Sequence, residues 1–126
     1  NRSAERGKRL AESTGVQFLP IEQISSGAIG MFKLFINCIP IGSKLAAPDQ
    51  QYSFDLTCFK PGHCVFDLVT TPTELTKIAQ KAGAVAIAGS RMLLFQALEQ
   101  FRLFTGRTPP RVVIEQALEE ELRRVV

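Results

Sequence analysis

The chain predicts an α/β fold: a partial doubly wound parallel sheet with helices on both faces and further helices toward its C-terminal end. Three observations carry this. Short apolar runs alternate with amphipathic stretches along the 126 residues, connections between them are short, and the run from Leu34 to Ile39 has the length and character of a strand buried on both faces. Such a chain is long enough for one α/β domain with a modest core and too short for two.

Taken in order, Ser3 caps a helix over residues 4 to 14, which Gly15 stops. Val16 to Pro20 (VQFLP) reads as a short strand. Ile21 to Ile24 make one turn at most, and SSGAIG is a loop without periodicity. After the Leu34 to Ile39 strand, Pro40, Gly42 and Pro48 open a long loop. HCVFDLVT is the next strand, and Pro72 to Ala82 the next helix, with Leu75, Ile78, Ala79 and Ala82 on one face. AVAIAG is a strand of small and β-branched residues. A long helix follows, capped by Ser90 and closed by Gly106, with Leu94, Ala97, Leu98 and Phe101 as its apolar stripe. Pro109 and Pro110 lead into a last helix, Arg111 to Arg124.

Net charge is +3 with an isoelectric point near 9.0, a mild excess that does not point to nucleic acid. The excess is local: Arg2, Arg6, Lys8 and Arg9 face only Glu5 and Glu12 at the start of the chain. Three cysteines and no secretion-like leader suggest reduced thiols and a cytoplasmic protein. No apolar run has membrane-spanning length. One histidine and irregular spacing make Cys58, His63 and Cys64 a weak zinc signature, and buried thiols are the better reading.

Ligands of open parallel sheets collect outside the carboxyl ends of the strands. That selects Asn1 to Ser3, Asn37 to Gly42, Val69 to Pro72 and Gly89 to Met92. An arginine at a helix start offers a planar cation to a phosphate; taken singly, an ordinary surface charge is the better reading. Pro40 to Gly42 could sit beside a flat ring or be a simple turn. Gln96 is an uncharged hydrogen-bonding group on an otherwise apolar helix, suited either to a ligand or to a neighbouring loop.

Four stretches in this order, NRSAERGKRLA, INCIPIG, VFDLVTTP and GSRMLLFQALEQFRLFTG, resemble the cofactor-binding half of shikimate dehydrogenases, including those fused behind a dehydroquinate dehydratase. The similarity runs from residue 1 to about residue 110. It implies a Rossmann-like domain that binds NADP and serves reduction of 3-dehydroshikimate to shikimate, with the helices from about residue 90 packing back toward a substrate domain. It assigns Arg2 and Ser3, with Asn1 beside them, to the 2′-phosphate of NADP. It places Asn37, Cys38, Ile39 and Pro40 on the nicotinamide side, with Val69, and has Met92 and the Gly89 backbone close over the ring. Gln96 would reach a hydroxyl of shikimate. The lysine and aspartate of proton transfer, and the Gly-rich phosphate loop, belong to parts of the family outside this sequence, so the remainder of a parent chain is the expected partner, with neither nucleic acid nor membrane.

Ile39 stands where the family has Thr or Ser, Ser43 where it has Met, and Thr70 where it has a tyrosine on the substrate side. These departures keep a second reading open: a non-catalytic relative used for metabolite sensing, as in the dehydrogenase-like portion of the fungal quinate repressor.

Overall fold

The computed structural model describes residues 3–24, 26–44, 46–47 and 49–125. Their elements run α1 (Ala4–Thr14), α2 (Ser26–Gly30), β1 (Leu34–Asn37), β2 (Cys64–Asp67), α3 (Glu74–Lys81), β3 (Val85–Ala88), α4 (Gly89–Thr105) and α5 (Arg111–Val125), with single 3-10 turns at Ile21–Gln23 and Leu56–Cys58. The three strands are parallel in the order β1-β2-β3. Register places Phe35 beside Val65 and Val65 beside Ala86; two residues on, Asn37 lies beside Asp67 and Asp67 beside Ala88.

Side chains alternate across a strand, so these six residues share one face, and the core sits on it. Val65 is completely buried and packs with Leu75 and Ala79 of α3, Ile29 of α2, Phe59 and Ala84. Leu75 and Ala79 are four residues apart and so occupy one stripe of α3. Burying side chains the size of Val65 and Leu75 contributes about 1.5–3 kcal/mol each. Thr73 starts α3 with a capping box: its hydroxyl accepts from Thr76 N at 3.3 Å while Thr73 N donates to the Thr76 hydroxyl at 3.0 Å. That reciprocal pairing satisfies two of the amides a helix start leaves open.

Several local expectations change. Among the described residues β1 is an edge strand, and Leu34 is 56% and Ile36 55% exposed, because their side chains point to the face opposite Phe35 and only the Phe35 side meets the core. Residues 16–20 form no strand: none of the three described strands pairs with them, and an extended segment without a ladder is not a strand. SSGAIG contains the short helix α2 rather than only loop. α4 starts two residues earlier than a Ser90 cap would place it, with Ala88 as its N-cap and no side-chain cap, so Ser90 lies inside the helix. α1 is as expected, with the Ser3 hydroxyl accepting from Arg6 N at 3.4 Å and the chain turning at Gly15.

α4 and α5 pack on each other. Arg91 and Arg111 both lie over the Phe95 ring, at 5.7 and 5.6 Å, and both pair with Glu115. Cation–ring contacts and a shared carboxylate thus hold the two helices near their starts.

Candidate functional site

Beyond Asn37 the chain turns tightly at Pro40 to Ser43, where Ser43 N donates to Pro40 O at 3.0 Å and the Ser43 hydroxyl to the same oxygen at 2.7 Å. Gly42 has φ +85° in this turn, and a Cβ there would lie 3.1 Å from Thr73 Cγ2. Both the left-handed backbone and the close approach call for glycine. Beyond Asp67, residues 68–72 lead to the Thr73 cap. Between the two loops lies a cleft of about 840 Å³. Cys38, Ile39, Pro40 and Lys44 line one side, Leu68, Val69 and Thr70 the other, and Lys77 reaches it from α3. Two lysines and no acidic side chain line it, which favours an anionic ligand.

Behind these walls is a buried polar network. Asp67, fully buried, accepts from Asn37 Nδ2 at 2.9 Å, from Val69 N at 3.1 Å and from the Thr73 hydroxyl at 2.5 Å. Asn37 Nδ2 also lies 2.9 Å from Ile39 O and 3.2 Å from the Tyr52 hydroxyl, and Asn37 Oδ1 accepts from Ile39 N at 3.1 Å. Burial pushes the Tyr52 hydroxyl up to about 12; the charges of Asp67 and Glu74 push the same way, and the bond from Asn37 opposes them.

The expected site residues divide accordingly. Cys38, Ile39, Pro40, Val69 and Thr70 are brought together around the cleft. Asn37 is not among the lining residues: its carboxamide is engaged behind the wall, so it supports the loop rather than presenting a group to a ligand. Gly89 abuts the far wall. Its N–H donates to Val69 O at 2.9 Å, and a Cβ would lie 2.1 Å from Leu68 O, so only glycine lets α4 start against this loop. Met92 and Gln96 follow Gly89 at three and seven residues, which keeps them on the Gly89 side of α4. Both are exposed and stand outside the lining of this cleft. Leu94 is the buried residue of the helix body. Ser3 caps α1, and Asn1 and Arg2 lie outside the described residues.

Sequence reasoning missed Lys44, Leu68 and Lys77 on the walls, and Asp67, Tyr52 and Thr73 behind them. A signal for the last group existed in the spacing of Asp67 and Thr73, an acceptor at a strand end six residues before a helix cap. His63, at the opposite end of β2, is buried against Phe35 and Phe59 with Nδ1 unpartnered. Burial pushes the Cys58 thiol up. Among the described residues no three histidine, cysteine or acidic side chains gather as a metal would need, and no helix is long and apolar enough to cross a membrane.

An open cleft at the carboxyl ends of parallel strands, walled by loop backbone and apolar side chains, is the ligand position of dinucleotide-binding α/β proteins. Residues 89–119 match the family described as "Shikimate 5'-dehydrogenase C-terminal domain". The chain is 37% identical over 132 aligned positions to the Shikimate dehydrogenase (NADP(+)) of Citrifermentans bemidjiense, covering 97% of this chain and 44% of that one. Its fold is similar to shikimate dehydrogenase from Aquifex aeolicus, with a TM-score of 0.79 at 28% identity over 94% of this chain and 42% of the other. It is similar also to quinate dehydrogenase from Corynebacterium glutamicum in complex with NAD, with a TM-score of 0.79 at 27% identity over 94% of this chain and 44% of the other. The chain belongs to the shikimate dehydrogenase family and corresponds to its C-terminal half. It spans less than half the length of these relatives.

Proposed function

We propose that the chain is the cofactor-binding part of an NADP-dependent shikimate dehydrogenase, which interconverts 3-dehydroshikimate and shikimate in the supply of aromatic amino acids in the cytoplasm. The observation that carries this reading is the cleft between the loops after β1 and β2. Its residues fit a nicotinamide: Ile39, Pro40, Leu68 and Val69 offer apolar surface to a flat ring, with the Thr70 and Thr71 hydroxyls beside them. When bound, the nicotinamide supplies the hydride.

The chain's own side chains bind and orient. Ile39, Pro40 and Val69 keep water from one side of the ring, which keeps the cofactor's reacting face in a drier setting. Gly89 lets the start of α4 approach, and Met92 one turn on closes over the ring. Lys44 and Lys77 offset the negative charge of the cofactor. Arg2 and Ser3, with Asn1, hold the 2′-phosphate, where a guanidinium can bind bidentately. Gln96, with donors and an acceptor on one amide, meets a hydroxyl of the substrate. Proton transfer falls to residues of the parent protein outside this sequence.

Exposed apolar side chains on the C-terminal helices, Leu103 and Phe104 on α4 with Val112 and Val113 on α5, support their packing against a substrate domain of the parent chain. NADP is chosen over NAD because of Arg2 and because the Citrifermentans relative is named for NADP(+), although the Corynebacterium structure is a complex with NAD. Titration of the full-length protein with NADPH and NADH tests the reading. It predicts tighter binding of NADPH by about tenfold or more, the effect of a hydrogen bond to a charged group. Binding of neither nucleotide would contradict it.

A further inference from the structure

We propose that Asp67 is a positioning residue that fixes the spacing of the two cleft walls, an inference that rests on the cofactor role proposed for the cleft. The carboxyl does not line the cleft. It is fully buried, and a polar group buried that far must be matched by hydrogen bonds. Its three donors come from the end of one strand and from two places along the segment that follows the other. Asn37 ends β1, Val69 N begins the far wall, and the Thr73 hydroxyl caps α3.

Each bond passes on to something that shapes the cleft. Asn37 grips Ile39 by both its N–H and its C=O, so the near wall is tied to the Asp67 carboxyl through a single side chain. Thr73 packs its methyl against Gly42, at the turn of that same wall. Val69 carries the far wall, and its carbonyl accepts from Gly89 N, extending the linkage to the start of α4. One carboxyl therefore connects every element that bounds the cleft.

A residue that only stabilises the fold lowers the unfolding midpoint but leaves the folded molecule's cleft as it was. A positioning residue changes the cleft while the protein remains folded. The test uses the full-length protein and two variants, Asp67→Ala and Asp67→Asn, at a temperature where circular dichroism shows each folded. Asn keeps the Oδ1 acceptor used by Asn37 and Val69, and Ala removes it.

Amide hydrogen exchange is read at residues 38–44 and 68–72, and NADPH affinity is read by titration. Asp67→Ala is expected to speed exchange in both loops and weaken NADPH by about tenfold or more, as loss of hydrogen bonds to a charged group predicts. Asp67→Asn is expected to stay within about threefold of the native protein in both readouts, since Oδ1 still accepts from Asn37 and Val69 and the new amide can donate to the Thr73 hydroxyl in place of the bond it loses. Native exchange and native affinity in a folded Asp67→Ala protein overturn the proposal, as does Asp67→Asn behaving like Ala. If Asp67→Ala does not fold, Asn37→Ala removes the donor side, and the same loop opening is expected or the proposal fails. Failure of the native protein to bind NADPH counts against the cofactor reading alone, because loop exchange still decides the role of Asp67.

Discussion

Asn37 and Asp67 are register partners at the carboxyl ends of neighbouring strands, and the Asn37 carboxamide donates to the Asp67 carboxyl at 2.9 Å. In a parallel pair the ladder bonds are made by the backbone; here a side-chain bond across the same pair locks the points from which both cleft loops depart. Tyr52 joins at Asn37, which brings the long excursion between β1 and β2 into the same network.

The Tyr52 hydroxyl gives this network a pH signature. Its value in the folded protein is pushed up to about 12, whereas in an unfolded chain a tyrosine titrates at about 10. Stability from this group is therefore full below about pH 10 and is lost as pH rises toward the folded value, because the unfolded chain releases its proton first. Solvent at the half-exposed ring moderates the size of the loss. The chain has one tyrosine and no tryptophan, so ultraviolet titration of this sequence reads Tyr52 alone. A phenolate midpoint well above the unfolded value is expected, and Tyr52→Phe should flatten the alkaline fall in stability. A midpoint at the unfolded value would remove Tyr52 from the network.

Gly89→Ala should strike both fold and site. The added Cβ would sit 2.1 Å from Leu68 O and 2.5 Å from Leu68 C, both backbone atoms, so α4 must move away from the wall. Overpacking of this kind costs about 1–3 kcal/mol. Thermal unfolding should show the loss, and NADPH affinity should fall with it. An unchanged midpoint would mean that α4 does not start against this loop.

Gln96→Ala separates ligand contact from packing. Gln96 is exposed, and its removal leaves no buried partner behind, so stability should stay within about 0.5 kcal/mol. Shikimate should bind more weakly by about 0.5–1.5 kcal/mol, the net value of an ordinary hydrogen bond. A variant destabilised by more than about 2 kcal/mol with substrate affinity unchanged would defeat the contact role.

Arg2→Ala should weaken NADP by about 1.5–3 kcal/mol while leaving NAD nearly unaffected, since only the former carries the 2′-phosphate. Paired titrations check this, and equal losses for both cofactors would make Arg2 structural.

What the sequence made legible followed from local chemistry. Ser3 and Gly15 bracket α1 as a hydrogen-bonding cap and a helix stop, and Leu94 falls in the stripe that periodicity selected. The carboxyl-end rule led to Cys38, Ile39, Pro40, Val69 and Thr70, because parallel strands present their loops at one end. Other features depend on what a segment meets. The apolar composition of β1 suggested burial on both faces, but Leu34 and Ile36 have no layer over them. Residues 16–20 have strand composition without a ladder partner. Ser90 is a good cap residue, yet the close seat of Gly89 against Leu68 begins the helix two residues earlier. Asp67 reads in sequence as one acidic residue after an apolar pair; its role emerges only when register sets it beside Asn37 and the loop returns Thr73 to it.

We propose that this chain serves NADP-dependent shikimate oxidation, and the rate of NADPH formation by the full-length protein, with shikimate as substrate, decides it. The account predicts shikimate-dependent NADPH formation that exceeds NADH formation under matched conditions, and none from the 126-residue chain alone, because the proton-transfer residues must be held beside the cofactor for the reaction to proceed. A folded full-length protein that binds NADPH but forms none from shikimate would contradict the enzymatic claim and favour a ligand-sensing role for the same cleft.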